Sequence, residues 1–156
     1  SSNAGTVSLT RRLDAFCARA AESGVPVTVW QDGLMTDYQA GHVAALAMLA
    51  PAPWPLDGVF CVTDLLALGF LDSARNVCGR RVPDDLAVVG FDDTPEAAYY
   101  YPSLTTIRQP LAELGGQAVN IVIQILETAI DGQEVDLSQA IWMHPQLVVR
   151  NSSIRA

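Results

Sequence analysis

Three polar pairs stand directly behind short apolar runs in this chain. Gln31-Asp32 follows Val25–Trp30, Thr63-Asp64 follows Gly58–Val62, and Asp92-Asp93 follows Leu86–Phe91. A carboxylate in such a position can accept two hydroxyls side by side, and charged hydrogen bonds of this kind contribute about 1.5–3 kcal/mol each. Catalysis is the weaker reading. A hydrolase using Asp64, Asp92 and Asp93 would need a nucleophile–base pair or metal ligands, and the sequence supplies neither. His42 and His144 lie far apart without cysteine partners at ligand spacing, so neither a metal nor any other cofactor is expected. Cys17, Cys61 and Cys78 are odd in number and also lack metal spacing, which suits buried free thiols in a reducing compartment.

The elements that must position these groups alternate along the chain. Ser8 can cap a helix running to about Ser23, which Gly24 ends. Val25–Trp30 reads as a β run, and Thr36 with Gln39 has the capping-box spacing for a helix to about Ala50. Pro51, Pro53 and Pro55 stop that helix. Gly58–Val62 reads as a strand, Thr63 caps a third helix closed by Gly79, and Leu86–Phe91 reads as another strand. A loop then leads to Leu104–Ile107, a short strand. Pro110 opens a long helix ending before Gly132, and a last β run spans Ile141 to about Arg150. Continuous apolar strands alternating with helices imply an α/β fold: a parallel sheet covered on both faces, in a three-layer sandwich. Such sheets bind ligands beyond the carboxyl ends of their strands, where the three polar pairs converge.

Composition narrows the possible partners. The 156 residues carry 9 basic and 17 acidic side chains, a formal net charge of −8, and every basic residue is arginine. Binding to the DNA backbone needs clustered positive charge, so this chain alone is not expected to bind nucleic acid. No apolar run approaches the roughly 18 residues that cross a bilayer, so no membrane partner is expected. Ser1-Ser2-Asn3-Ala4 reads as an expression-tag remnant, leaving residues 5–156 as the domain.

The order of motifs resembles the LacI/GalR family of bacterial transcription regulators. Val82-Pro-Asp-Asp-Leu-Ala-Val-Val-Gly-Phe-Asp-Asp93 is similar to its "vPdDvsvvGfDd" signature, and Pro102–Ile107 to its "PpLTTv" element. Thr63–Gly69 resembles "nDxxAxG", Arg12–Phe16 resembles "RxxGF", and Leu147–Arg150 with Ser152 and Ser153 resembles "LvvRxSt". The resemblance covers nearly all of residues 5–153. It implies one lobe of a periplasmic-binding-protein-like type I fold, with residues 5–103 and 138–153 in the C-terminal lobe. Residues 104–137 then form a crossover strand and helix that normally belong to the other lobe. The implied function is sensing of a small, sugar-like effector in the cytoplasm, with operator DNA contacted only through an absent N-terminal helix-turn-helix. An exported solute-binding protein of the same fold is the alternative.

The resemblance also implies site residues. Asp92 falls on the effector-binding aspartate, with a turn or helix cap as the plain alternative, and Asp93 is then the structural member of the pair. Arg12 falls on the effector-binding arginine, whose planar fork of donors suits vicinal hydroxyls or a carboxylate. Ser8, one turn earlier, either faces the same cleft or is an N-cap. Thr63 stands where the family usually has asparagine, and Thr36 where it often has an aromatic ring, so an altered effector is expected. Tyr99, Tyr100 and Tyr101 fall in a loop near the family's subunit interface. The helix from Pro110 is apolar nearly all round and needs burial on more than one side. A homo-oligomer is therefore expected, with exchange of this helix between copies as one route.

Overall fold

The structure, a computed structural model, describes residues 3–31, 36–49, 56–130 and 141–155. Helix α1 spans Asn3–Glu22, α2 Tyr38–Leu49, α3 Asp64–Asn76, α4 Pro95–Tyr99 and α5 Leu111–Ile130. Strands β1 (Gly58–Phe60) and β2 (Ala87–Val89) pair in parallel, and β3 (Thr106–Arg108) pairs antiparallel with β4 (Gln146–Val148). Parallel bridges, Val89 with Thr105 and Asp92 with Arg108, join the two pairs into one ribbon.

Side chains alternate across the ribbon, which sorts the layers. Val59 and Cys61 face α2 and α3, where Phe70, Leu71, Leu86, Val88 and Leu104 are buried. Burial of each large aliphatic or aromatic group of this kind contributes about 1.5–3 kcal/mol. Phe60 faces the other way and stacks on Phe16 of α1, ring centroids 4.8 Å apart. The order is therefore α1, then sheet, then α2 and α3, the expected three-layer α/β arrangement. Helices α2 and α3 touch backbone to backbone: a Cβ at Gly69 would collide with the Tyr38 carbonyl, and one at Gly41 with the Leu66 carbonyl. His42 Nδ1 meets the buried Ser73 Oγ at 2.5 Å across the same contact.

Several boundaries differ from those read in the sequence. Helix α1 begins at Asn3, so Ser8 lies inside it and caps nothing. Its end is a Schellman motif, with Val25 N donating to Ala20 O, Gly24 N donating to Ala21 O, and Gly24 at φ 68°. The cap of α2 is Asp37, whose Oδ1 accepts from Ala40 N at 2.8 Å; the Thr36 carbonyl is used elsewhere. Val25–Trp30 forms no strand, because it has no pairing partner among the described residues. The last β run contracts to Gln146–Val148, and Pro95–Tyr99 is a short helix where a loop was expected. Of the three thiols only Cys61 is buried, and there desolvation, with the Asp64 charge beside it, pushes its pKa up to about 12; Cys17 and Cys78 are partly exposed. Asp32 lies outside the described residues.

Candidate functional site

The positions of Asp92, Arg12 and Thr63 follow from three elements that meet at one rim: the ends of β1 and β2 and the middle of α1. β2 runs on through Gly90 and Phe91, with Gly90 N donating to Thr105 O and Asp92 N to Ile107 O, both at 2.9 Å. Gly90 has to be glycine: a Cβ would strike Asp64 Oδ1 and press on Leu104 and Ala67. The chain then turns sharply, with Asp92 at φ 123° and Asp93 at φ 54°. A non-glycine residue held in that region costs about 1–3 kcal/mol, which the surrounding bonds must offset.

Arg12 reaches this turn from α1. Its NH1 donates to Val62 O at 2.7 Å and lies 3.2 Å from Asp92 Oδ1, while the guanidinium carbon sits 3.9 Å from the centre of the Phe91 ring. A carbonyl, a carboxylate and an aromatic face therefore hold the fork in place. Gln109, just before α5, donates from Nε2 to the same Asp92 Oδ1 at 2.8 Å. Both contacts fall on Oδ1; among the described residues Oδ2 receives none. Burial is the largest influence on Asp92 and holds its carboxyl above the ordinary carboxylate value, against the pull of Arg12 and Gln109. Among the described residues the arrangement offers one carboxylate oxygen without a hydrogen bond beside a fixed cation, a pairing suited to a neutral polar group with both donors and acceptors.

Thr63 arrives at the same rim, but its hydroxyl is engaged. Oγ1 donates to Thr36 O at 2.9 Å and accepts from Leu66 N at 3.3 Å, as the N-cap of α3. It has no proton left to give a ligand. Ser8 is exposed on α1 and, among the described residues, bonds to none of the other three. A cavity of about 890 Å³ opens beside the rim, bounded there by Arg12, Gln31, Thr36, Val62 and Phe91.

The remaining motif carboxylates build the scaffold. Asp64 is fully buried; Oδ1 accepts from Thr106 Oγ1 at 2.5 Å and Oδ2 from Thr94 N at 2.8 Å, tying the start of α3 to β3 and to the turn after β2. Asp93 bridges Arg150 NH2 at 2.6 Å and Arg108 Nε at 2.5 Å. Burial raises its pKa, but the two arginines outweigh it and the net direction is down. Thr105 is equally structural, its Oγ1 donating to Arg150 O and accepting from Arg150 N. The tyrosine run divides: Tyr99 and Tyr101 are 89% and 76% exposed, whereas Tyr100 turns inward, its hydroxyl 3.3 Å from that of Tyr38. Gln109 was not singled out in the sequence, because nothing in its spacing marks it as a partner of Asp92; the parallel bridge of Asp92 to Arg108 brings it there.

Known proteins resemble this chain in sequence and fold. The family profile of periplasmic binding protein-like domains matches residues 2–153. The HTH-type transcriptional regulator reg1 of Streptomyces lividans is 34% identical over 96% of this chain, which spans 43% of that protein. The HTH-type transcriptional repressor PurR of Salmonella paratyphi B is 39% identical over 73% of the chain, covering 31% of the repressor. Among solved structures, a LacI family regulator of Arthrobacter sp. FB24 in complex with lactose matches 90% of the chain and half of its own, at 30% identity and a TM-score of 0.77. One from Lactobacillus casei with bound sucrose matches 91% of the chain and half of its own, at 29% identity and a TM-score of 0.69. The chain thus spans half or less of these relatives. It belongs to the periplasmic binding protein-like family, in the branch found in LacI-type transcription regulators.

Proposed function

We propose that this chain is the effector-sensing part of a LacI-type regulator, and that Asp92 and Arg12 grip a small sugar-like metabolite in the cytoplasm. The observation that carries the reading is the Asp92–Arg12 pair at the strand-end rim, with one oxygen of Asp92 accepting no hydrogen bond among the described residues. Lactose and sucrose in solved relatives support a carbohydrate as the ligand class. The curated relatives favour a regulator over an exported solute-binding protein. Operator DNA is contacted by a part of the protein beyond these residues, and effector binding shifts the balance between two lobe arrangements. No turnover is involved. Thr63 shapes the rim as a cap and contributes at most an acceptor, and Ser8 is peripheral. The regulator works as a homo-oligomer, with the exposed Tyr99 and Tyr101 as interface candidates.

A thermal-shift screen of mono- and disaccharides and related polyols on the full-length protein tests this. The expected result is a stabilising ligand whose effect disappears in Asp92→Ala and in Arg12→Ala. Stabilisation that persists undiminished in both variants contradicts the site.

A further inference from the structure

Asp92 and Asp93 are consecutive non-glycine residues at positive φ, 123° and 54°. Such a turn persists only where its surroundings over-determine it. Here the surroundings centre on Asp64, a carboxylate with no exposed surface at the start of α3.

Backbone groups on both sides of Asp92 converge on Asp64. Before it, Asp64 N donates to Phe91 O at 2.8 Å. After it, Thr94 N donates to Asp64 Oδ2 at 2.8 Å. Asp93 N donates to Thr106 Oγ1 at 3.3 Å, and that hydroxyl donates in turn to Asp64 Oδ1 at 2.5 Å. The direction of this relay is fixed, because a hydroxyl has a single proton and Thr106 Oγ1 must accept from the amide. Thr106 is fully buried, and the carboxylate lies so close to Gly90 that a Cβ there would strike Oδ1.

The residue type at position 64 matches this turn. Burying a carboxylate is unfavourable unless its oxygens are satisfied. Asparagine would offer one acceptor and one donor, whereas the turn needs an acceptor for Thr94 N and another for the Thr106 proton. The N-terminus of α3 does not require the carboxylate, since Thr63 already caps it.

We infer that Asp64 and Thr106 are positioning residues of the effector site: their relay sets the backbone angles of Asp92 and so aims its carboxylate at the ligand beside Arg12. Both are fully buried and act through Asp92 alone. On the other side Asp92 N is held by Ile107 O at 2.9 Å, so the turn changes shape only if the relay lets go. Neighbouring threonines thereby divide the work: Thr105 holds Arg150, and Thr106 holds the turn. This role presupposes that Asp92 receives the effector.

Variants of the full-length protein at position 106 test it, by amide hydrogen exchange without sugar and by titration with lactose, sucrose and their component monosaccharides. Thr106→Val keeps the volume and removes the hydroxyl, whereas Thr106→Ser keeps the hydroxyl and loses a methyl group. In Thr106→Val, exchange at Asp93 and Thr94 is expected to quicken about tenfold or more. Affinity for the sugar that binds the parent most tightly is expected to fall about tenfold or more, as a charged hydrogen bond is misaligned. Thr106→Ser is expected to keep parental exchange and affinity while melting below the parent, because it leaves a small cavity. Any unfolded fraction lowers the number of binding sites and not the affinity. If Thr106→Val does not fold, Thr106→Ala against Thr106→Ser gives the same comparison. Parental exchange at Asp93 and Thr94 in the hydroxyl-free variant overturns the relay. Faster exchange with parental affinity, while Asp92→Ala loses the sugar, overturns the positioning role and leaves the site intact. Parental affinity in Asp92→Ala overturns the site itself, and the positioning role with it.

Discussion

At the level of single residues, two adjacent carboxylates do different work because their neighbours differ. Asp93 has an arginine on each oxygen, and its carboxyl is held below the ordinary value of 3.8. It therefore stabilises the fold above the unfolded-state value, and that contribution is lost as pH falls through the lower folded-state value. In acid-unfolding curves, Asp93→Asn should be the less stable protein at neutral pH, with the gap to the parent closing below pH 3.8. A gap that is constant down to the lowest pH would count against the double bridge. Asp92 is shifted in the other direction, and the proposed function gives its second oxygen, which accepts no hydrogen bond among the described residues, to the ligand. Thr63 separates these roles further. Thr63→Val should cost about 1 kcal/mol in denaturant unfolding, the loss of a helix cap, and leave effector affinity within about twofold of the parent. A large affinity loss with unchanged stability would restore Thr63 to the ligand contacts.

Helices and strands show how much of the site was legible in the sequence. The ends of β1 and β2 could be read from apolar runs followed by polar pairs, and these fixed the rim where Thr63 and Asp92 stand. The cap at Thr63 and the helix stop at Gly24 could also be read, since local chemistry alone determines them. What could not be read depends on contacts distant in sequence. Residues 25–30 have strand composition, but a strand exists only when paired. The role of Asp64 came from Thr106, 42 positions away, and that of Gln109 from its meeting with Asp92. Gly69 carries the same lesson in packing. Its place in a familiar motif reflects the close approach of α3 to the Tyr38 carbonyl of α2 rather than any ligand. Gly69→Ala should lower stability by about 1–3 kcal/mol in urea or thermal unfolding, as overpacking does. A neutral result would mean that the two helices separate more freely than their backbone contact implies.

Across the whole molecule, the feature that needs a partner is α5. None of its residues is buried, and Val122, Leu126 and Ile130 are 54%, 57% and 83% exposed. Nearby Trp142 is 84% exposed. Each large aliphatic group left in water forgoes about 1.5–3 kcal/mol of burial. The chain on its own should therefore self-associate through this helix, and light scattering at micromolar concentration should give a mass above that of one chain. Val122→Glu with Leu126→Glu should return it to a single-chain mass while the core around Phe70 and Leu86 stays folded by circular dichroism. A single-chain mass for the parent would show that α5 tolerates water without a partner.

The central claim is that Asp92, held by Arg12 and Gln109, receives the effector. Isothermal titration of the full-length protein and its Asp92→Asn variant, with a sugar found by the thermal-shift screen, tests it most directly. Loss of a charged hydrogen bond worth about 1.5–3 kcal/mol predicts affinity lower by about 10- to 150-fold, with the variant as well folded as the parent. Equal affinity in the two proteins would contradict the account.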